Sequence, residues 1–175
     1  MKLFFDTETT GMPDFHSPAT DPSMPHIVQL GAILCDDKDN VVASIDMMVK
    51  PNGWLIPPEA SAIHGVTQEA AEKYGFEIGT VIDVFLRMCD RAELLVAHNY
   101  SFDEKMIRGE LHRVLPDAYE PFRERPSFCT MRESANVLKL PGKRGFKWPT
   151  LREAFTHFTG APFVGAHRAM ADAQA

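Results

Sequence analysis

The sequence predicts an α/β fold in which a mixed five-stranded sheet is flanked by helices. Three apolar segments occupy the first 50 residues, and the second and third are joined by a short turn, a pattern typical of an antiparallel meander. Further along the chain, helical periodicity alternates with two more short apolar segments, and strands joined through helices form right-handed crossovers. A chain of 175 residues with 45% hydrophobic residues can bury a sizeable core. We therefore expect a single domain over residues 1–175.

Each strand is indicated by an apolar or alternating segment bounded by turn signals. The five strands are predicted at residues 2–6, 26–35, 41–49, 93–98 and 126–129. Between the first two, a Pro- and Asp-containing stretch at residues 12–25 predicts a surface loop.

The helices are indicated by apolar residues at a period near 3.6 and by start signals. They are predicted at residues 59–63, 68–73, 78–89 and 102–114, from Thr130, from Thr150, and from about residue 165 to the chain end. Three Ser/Thr-x-x-Glu sequences, beginning at Ser101, Thr130 and Thr150, are typical of capping boxes. The last helix reaches Ala175 without a stop signal, as expected of a helix that continues in a longer chain.

The charge distribution is uneven. The net charge is −6, yet eight of the 18 basic residues lie within residues 123–152, where only two acidic residues oppose them. They are Arg123, Arg125, Arg132, Lys139, Lys143, Arg144, Lys147 and Arg152. A local basic region on an acidic protein is suited to binding a short polyanionic segment. The alternative is a basic loop that is merely solvated. Trp148, within this region, is either a stacking platform for a base or a packing residue.

Composition also indicates the compartment. The sequence has no apolar run long enough to span a membrane and no signal-peptide pattern, so we expect no membrane association. Its three cysteines are odd in number and far apart in apolar settings, which favours buried thiols in a reducing cytoplasm over disulfides or a zinc site. We therefore expect a cytoplasmic protein.

Acidic residues are predicted to meet at one edge of the sheet. Asp6 and Glu8 end the first strand and, with a period of two, share a face. Asp103 follows the fourth strand, so it lies close to them if the two strands are parallel neighbours. Near the chain end, His167 and Asp172 are five residues apart, about 140° around an ideal helix. We therefore place His167 on a loop or first turn and Asp172 within the helix.

These residues together suggest metal-dependent hydrolysis. Converging carboxylates repel one another unless cations lie between them, and all-oxygen ligands suit Mg²⁺ or Mn²⁺. Two such ions can activate a water and stabilise a leaving oxygen, while a neutral histidine acts as general base. Taken singly, each residue also has an ordinary explanation: a solvated acidic pair, a helix-start acid, or a surface histidine.

Three motifs carry a family resemblance. The sequences FDTETTG (residues 5–11), NYSFD (residues 99–103) and His167-x4-Asp172 resemble the exonuclease motifs of the DEDDh, or DnaQ-like, 3′–5′ exonucleases. That family includes the proofreading subunit of bacterial DNA polymerase III. The resemblance implies a ribonuclease H-like fold, two Mg²⁺ ions (replaceable by Mn²⁺) and His167 as general base. It implies four metal ligands: Asp6, Glu8, Asp103 and Asp172.

Further residues are candidate substrate contacts. Within SAIHGVT (residues 61–67), two residues resemble the family segment that packs against the terminal nucleotides, although a capped loop would also explain this sequence. Others lie beside the metal ligands, where capping a turn or packing in the core are their alternative roles. The six candidates are Thr7, Thr9, His64, Val66, Asn99 and Phe102.

The sequence thus predicts a metal-dependent 3′–5′ exonuclease that releases nucleoside 5′-monophosphates from the 3′ end of single-stranded DNA or RNA. Its role would be proofreading or DNA processing, alone or with a DNA polymerase. One alternative is a noncatalytic module that binds nucleic acid or docks on a polymerase. The other is an exoribonuclease of the same fold that acts on short RNA.

Overall fold

The predicted α/β class and five-stranded sheet are confirmed in a computed structural model, which describes residues 1–143 and 145–175. Arg144, one member of the predicted basic region, lies outside the described residues. The sheet consists of β1 (Lys2–Thr9), β2 (Ile27–Cys35), β3 (Val41–Met48), β4 (Leu94–Ala97) and β5 (Ser127–Cys129), in the order β3-β2-β1-β4-β5. The first three strands form the predicted antiparallel meander, and β4 and β5 join it in parallel.

Strand β1 is longer than predicted. Its pairing with β2 continues through Asp6 and Glu8 to Thr9, so the two acids lie within the strand rather than at its exit. On its other side β1 runs parallel to β4, with Phe4 opposite Val96. The carboxyl ends of these two strands therefore meet at one edge of the sheet, as the placement of Asp103 required.

Eight helices lie within the described residues. They are α1 (Pro58–His64), α2 (Gln68–Tyr74), α3 (Ile78–Cys89), α4 (Tyr100–Val114), α5 (Tyr119–Arg123), α6 (Thr130–Leu138), α7 (Leu151–Thr159) and α8 (Ala169–Gln174). A single 3₁₀ turn, Pro116–Ala118, precedes α5, and two short strands, β6 (Pro141–Gly142) and β7 (Gly145–Phe146), form a hairpin before α7. The sequence did not predict the 3₁₀ turn, α5 or this hairpin.

Two of the three predicted capping boxes are wrong. Helix α4 begins at Tyr100, and its N-cap is Asn99 in the left-handed conformation, so Ser101 is already inside the helix. Helix α6 begins at Thr130 itself, without a side-chain cap. Only the box at Thr150 forms, with both reciprocal hydrogen bonds to Glu153 present.

The last helix also begins later than predicted. Gly165 and His167 adopt positive φ angles of 95° and 67°, which interrupt helical geometry, and α8 starts only at Ala169. This short helix packs across β1 and β2. The contact is so close that a Cβ atom on Gly31 would lie 2.4 Å from the carbonyl carbon of Ala169. Because residue 31 is a glycine, α8 can lie directly against β2 at this point. Gly31 is the register partner of Asp6 on β1, so α8 also comes close to Asp6.

The main core lies between the sheet and helices α3 and α4. Phe5, Leu30, Phe85 and Met106 are among its fully buried side chains. Cys35 and Cys89 are buried thiols, as predicted, whereas Cys129 is only half-buried, and none of the three forms a disulfide. In the part of the chain described here, each helix is too short or too polar to cross a membrane.

Candidate active site

A cleft of about 470 Å³ opens at the sheet edge where β1 and β4 end. Nine of the eleven residues singled out in the sequence line it: Asp6, Thr7, Glu8, Thr9, His64, Asn99, Phe102, His167 and Asp172. The remaining two, Asp103 and Val66, are buried beside it. The fold therefore gathers residues that are up to 166 positions apart in the sequence into one small volume.

Asp103 is held beneath the cleft by the strand that carries the other acids. It lies in the first turn of α4 and is 1% exposed. Its Oδ1 accepts hydrogen bonds from the backbone N–H of Thr7 at 2.9 Å and from the Thr7 hydroxyl at 2.8 Å. These two bonds fix the carboxyl group relative to β1 and leave Oδ2 for another partner.

Asp172 and His167 close the cleft from the other side. His167 lies on the loop before α8 and Asp172 within the helix, as predicted. The backbone N–H of His167 donates to Asp172 Oδ2 at 3.0 Å. Potential ligand atoms of Glu8, His167 and Asp172 all lie within 4.8 Å of one another. Asp172 Oδ1 is buried and lacks a hydrogen-bond partner among the described residues.

The four carboxyl groups all have raised pKa values. Burial raises the pKa of Asp6 well above its usual range, and the charges of Asp103, Asp172 and Glu8 add to the effect. Burial, followed by the charges of Asp172 and Asp103, raises the pKa of Glu8 to about 7. Burial raises the pKa of Asp103 to about 7 even though the Thr7 hydrogen bonds oppose the change. For Asp172, burial raises the pKa, while His167 opposes the shift.

Buried carboxyl groups that repel one another are typical of a cation site with oxygen ligands. No lysine or arginine is among the described residues that line the cleft, so the acids have no side-chain counter-ions there. A buried carboxylate oxygen without a donor, Asp172 Oδ1, is a vacant acceptor of the same kind. Hard divalent cations bind such oxygen clusters and favour their ionised form. The residues present therefore fit a divalent metal.

The pair His64 and Val66 has divided roles. Val66 is buried in a small apolar cluster with Val28, Ile56 and Ala71, so the structure does not place its side chain on the cleft wall. Its backbone N–H donates to His64 Nδ1 at 3.1 Å. Burial lowers the pKa of His64, with the Thr9 backbone in partial opposition, which favours a neutral ring with the proton on Nε2. That Nε2 is buried beside the Thr9 backbone but makes no hydrogen bond of normal geometry in the described part of the chain.

The other candidate contacts are held in defined positions. Thr9 is buried, and its hydroxyl donates to the carbonyl oxygen of Gly11 at 2.7 Å, so it can still accept from a ligand. Asn99 adopts a left-handed conformation with φ 67° at the start of α4. Phe102 is half-buried, packs at the edge of the core and also lines the cleft.

Sequence reasoning missed His98, which follows β4 and lines the cleft. Its Nε2 lies 3.0 Å from the carbonyl oxygen of Pro149, and its Nδ1 lies 3.0 Å from Thr130 Oγ1. Because a carbonyl can only accept, Nε2 carries the proton and Nδ1 accepts from the threonine hydroxyl. Burial lowers the pKa of this histidine. His98 thus connects the end of β4 to the starts of α6 and α7. The one sequence feature that could have pointed to it is its position next to Asn99, a candidate site residue.

Comparisons with known proteins agree with this site. An exonuclease family profile, RNase_T, matches residues 3–175. An uncharacterized exonuclease, CP81 of Escherichia phage 186, is 32% identical over 98% of this chain and 81% of its own length. The DNA polymerase III subunit epsilon of Treponema pallidum is 31% identical over 61% of this chain, which spans 44% of that protein.

Among solved structures, E. coli exonuclease I in complex with a dT13 oligonucleotide matches 99% of this chain with a TM-score of 0.75. The identity is 22%, and this chain spans 38% of that protein, so the match establishes the fold. The predicted DnaQ-like, ribonuclease H-like family and the enzyme class of an exonuclease are confirmed.

Proposed function

This chain belongs to the exonuclease family RNase_T, and from that premise we propose that it removes nucleotides from the 3′ end of single-stranded DNA. The products would be nucleoside 5′-monophosphates. The observation that carries the proposal is that three carboxyl groups and an exposed histidine line one cleft and a fourth carboxyl group, that of Asp103, is buried beside it. At about 470 Å³ the cleft has the size of a small-ligand site, which suits one terminal nucleotide.

The metal ligands in this proposal are Asp6, Glu8, Asp103 and Asp172, holding Mg²⁺, for which Mn²⁺ would substitute. Cations bound there would offset the charge that develops on the phosphate and make an adjacent water more acidic. The chain's own contribution is placement. Thr7 orients Asp103, and the His167 backbone orients Asp172.

His167 is assigned the proton transfer. Its side chain is exposed at the cleft, within 4.8 Å of carboxylate oxygens of Glu8 and Asp172. A neutral imidazole there can accept a proton from the attacking water as general base. Its exposed position suits this role, since the proton taken up must then leave to solvent.

Recognition of the terminal nucleotide is assigned to the cleft wall. His64 Nε2–H is a buried donor that makes no hydrogen bond of normal geometry within the described residues, so a ligand acceptor would satisfy it. Phe102 offers an apolar surface, and Thr7, Thr9 and Asn99 offer polar groups. Single-stranded DNA as substrate is supported by exonuclease I, a structural relative bound to dT13. The relative named as a polymerase III subunit supports proofreading or DNA processing, with a DNA polymerase as a candidate partner.

The test compares ends as well as metals. We expect a 5′-labelled linear single strand to be shortened stepwise in Mg²⁺ or Mn²⁺ and to stay intact in EDTA. A 3′-phosphate should slow the reaction strongly, and a circular single strand should resist it. Equal cleavage of circular and linear strands would identify an endonuclease instead. A parallel arm with RNA of the same sequence measures sugar preference, and faster hydrolysis of RNA would favour the exoribonuclease alternative.

A further inference from the structure

The described residues 139–143 and 145–149, here called the basic hairpin, lie between α6 and α7 in the chain. Its strands β6 and β7 pair only through Pro141 with Phe146 and Gly142 with Gly145. Phe146 is 55% exposed and Trp148 61%. Neither ring stacks on another aromatic ring within the described residues. Two large aromatic side chains are thus presented to solvent on a short hairpin.

The same segment carries positive charge. Lys139 and Lys143 are exposed and form no ion pair in the part of the chain that the structure describes. Lys147 is paired with Glu153 at 2.6 Å. Since the whole protein has a net charge of −6, this is a local reversal of sign. A polyanion would be repelled elsewhere and attracted here.

The base of the basic hairpin is fixed next to the active-site cleft. The carbonyl oxygen of Pro149 accepts a hydrogen bond from His98 Nε2, and His98 lines the cleft. Leu151, at the start of α7, lines it as well. Trp148 is three residues away from Leu151, which limits the separation of their Cα atoms to about 11 Å. At about 3.4 Å per phosphate along one strand of a duplex, that distance covers at most about three nucleotides.

We propose that the basic hairpin binds the nucleotides on the 5′ side of the scissile bond, with bases stacking on Trp148 and Phe146 and phosphates contacting Lys139 and Lys143. This inference rests on the proposed exonuclease function, because it assigns the upstream part of the same substrate. Aromatic platforms combined with basic side chains are the usual means of holding single strands without sequence preference. A merely solvated loop would explain the lysines but not two large exposed aromatic rings beside them.

The hairpin also solves a problem that the cleft creates. The acids of the cleft disfavour a phosphate until cations are bound, so the terminal nucleotide alone has little electrostatic attraction to the protein. Upstream contacts would hold the strand independently of the catalytic carboxylates. Affinity should therefore grow with strand length until the basic hairpin is filled.

The test measures affinity against strand length by isothermal titration calorimetry with unlabelled dT2 and dT8. Ca²⁺ replaces Mg²⁺ to suppress turnover. For wild type, dT8 should bind much more tightly than dT2. Trp148→Ala should lower dT8 affinity about 5- to 150-fold, the range for one lost stacking contact. Lys143→Ala should reduce the slope of log affinity against log salt concentration by about 0.7, one phosphate contact.

The controls are a lysine and an aromatic residue exposed elsewhere. Lys38 lies on the β2–β3 turn at the opposite end of the sheet, and Tyr74 lies at the end of α2. The control variants are Lys38→Ala and Tyr74→Ala. Both should bind dT8 as wild type does. If Trp148→Ala and Lys143→Ala keep the wild-type dependence of affinity on strand length and on salt concentration, the inference is overturned. Binding of some other molecule at the basic hairpin would not rescue it. Strand shortening by wild type is scored separately, so loss of the proposed function and loss of this inference are distinguishable.

Discussion

The acidic cleft and the basic hairpin are built in opposite ways. The cleft stands on β1, which pairs along its length with β2 and also with β4, and its deepest acid, Asp103, is 1% exposed. The hairpin has two-residue strands and mostly exposed side chains. Proton transfer and charge stabilisation depend on placement to a fraction of an ångström, whereas stacking and phosphate contacts tolerate adjustment. Changes in the cleft should therefore reduce turnover, and changes in the hairpin should reduce grip.

The largest effect is expected from Asp103→Asn. The amide keeps the shape and can still accept from Thr7 through its oxygen, but it lacks the negative charge assigned to metal binding. Single-turnover cleavage should fall by more than the about 10²–10⁴-fold typical of a lost general base. The fold should persist, as measured by thermal unfolding. Asp83→Asn, an exposed acid on α3, is the matched control. Near-normal turnover of Asp103→Asn would remove Asp103 from the site.

His167→Ala comes next, with an expected loss of about 10²–10⁴-fold in single-turnover rate. Because His167 is assigned the proton transfer and not strand binding, the variant should lose turnover rather than affinity. His157→Ala, an exposed histidine on α7, serves as control. Affinity for dT8 in Ca²⁺ should stay near that of wild type. A variant with wild-type turnover would show that His167 does not take the proton.

Thr7→Val tests how far the cleft depends on support rather than on ligands. The substitution removes the hydroxyl that donates to Asp103 Oδ1 but leaves the backbone N–H bond. Loss of such supporting bonds typically lowers metal affinity about 10- to 100-fold. The measurement is the Mg²⁺ concentration that gives half-maximal activity. Thr7→Ser retains the hydroxyl and should behave as wild type; equal behaviour of the Val and Ser variants would mean that the backbone bond alone suffices.

The cleft should also make the metal-free protein sensitive to pH. The pKa of Glu8 rises from 4.5 to about 7 on folding and that of Asp103 from 3.8 to about 7. Between pH 4 and 7 the folded state therefore holds protons that the unfolded chain has released. The free energy of unfolding in EDTA should then fall as pH rises through this window. Mg²⁺ should reduce the slope, and Asp103→Asn should reduce it in part, because Asp6, Glu8 and Asp172 keep raised pKa values. A stability independent of pH in EDTA would contradict the buried, frustrated carboxyl cluster.

Much of the cleft follows from local sequence, and the hairpin does not. Apolar periodicity was enough to locate all five strands of the sheet, and the parallel pairing of β1 with β4 then brought Asp6, Glu8 and Asp103 together. His98 escaped prediction because its partners, Thr130 and Pro149, are 32 and 51 residues away. The hairpin escaped because two-residue strands carry no periodicity to detect.

Helix starts show the limit of local signals most clearly. Three Ser/Thr-x-x-Glu sequences predicted the same hydrogen-bonded box, and one forms it. At Thr130 the hydroxyl is engaged with His98 instead. At Ser101 the hydroxyl donates to Asn99 Oδ1 at 3.3 Å, and the residue lies one position inside α4. Tertiary contacts and the exact exit of the preceding strand decide which residue becomes the N-cap, and neither is encoded in four residues.

The smallest effect is expected where the two regions join, at Thr150. Its hydroxyl accepts from the backbone N–H of Glu153 at 3.2 Å, and it begins the helix that anchors the basic hairpin. Thr150→Ala should lower the free energy of unfolding by about 1 kcal/mol, the usual cost of a lost N-cap. Ser101 has the same sequence signature but caps no helix, so Ser101→Ala should lower the free energy of unfolding by less than half as much. Thr150→Ser keeps the capping hydroxyl and should have the wild-type free energy of unfolding. Urea denaturation measures all three.

Because Pro149 precedes Thr150 and bonds to His98, fraying at this helix start should also weaken dT8 binding more than it slows turnover. Equal losses for Thr150→Ala and Ser101→Ala would mean that the helix start does not depend on this hydrogen bond, and the attachment of the hairpin would then reside in the His98–Pro149 contact alone.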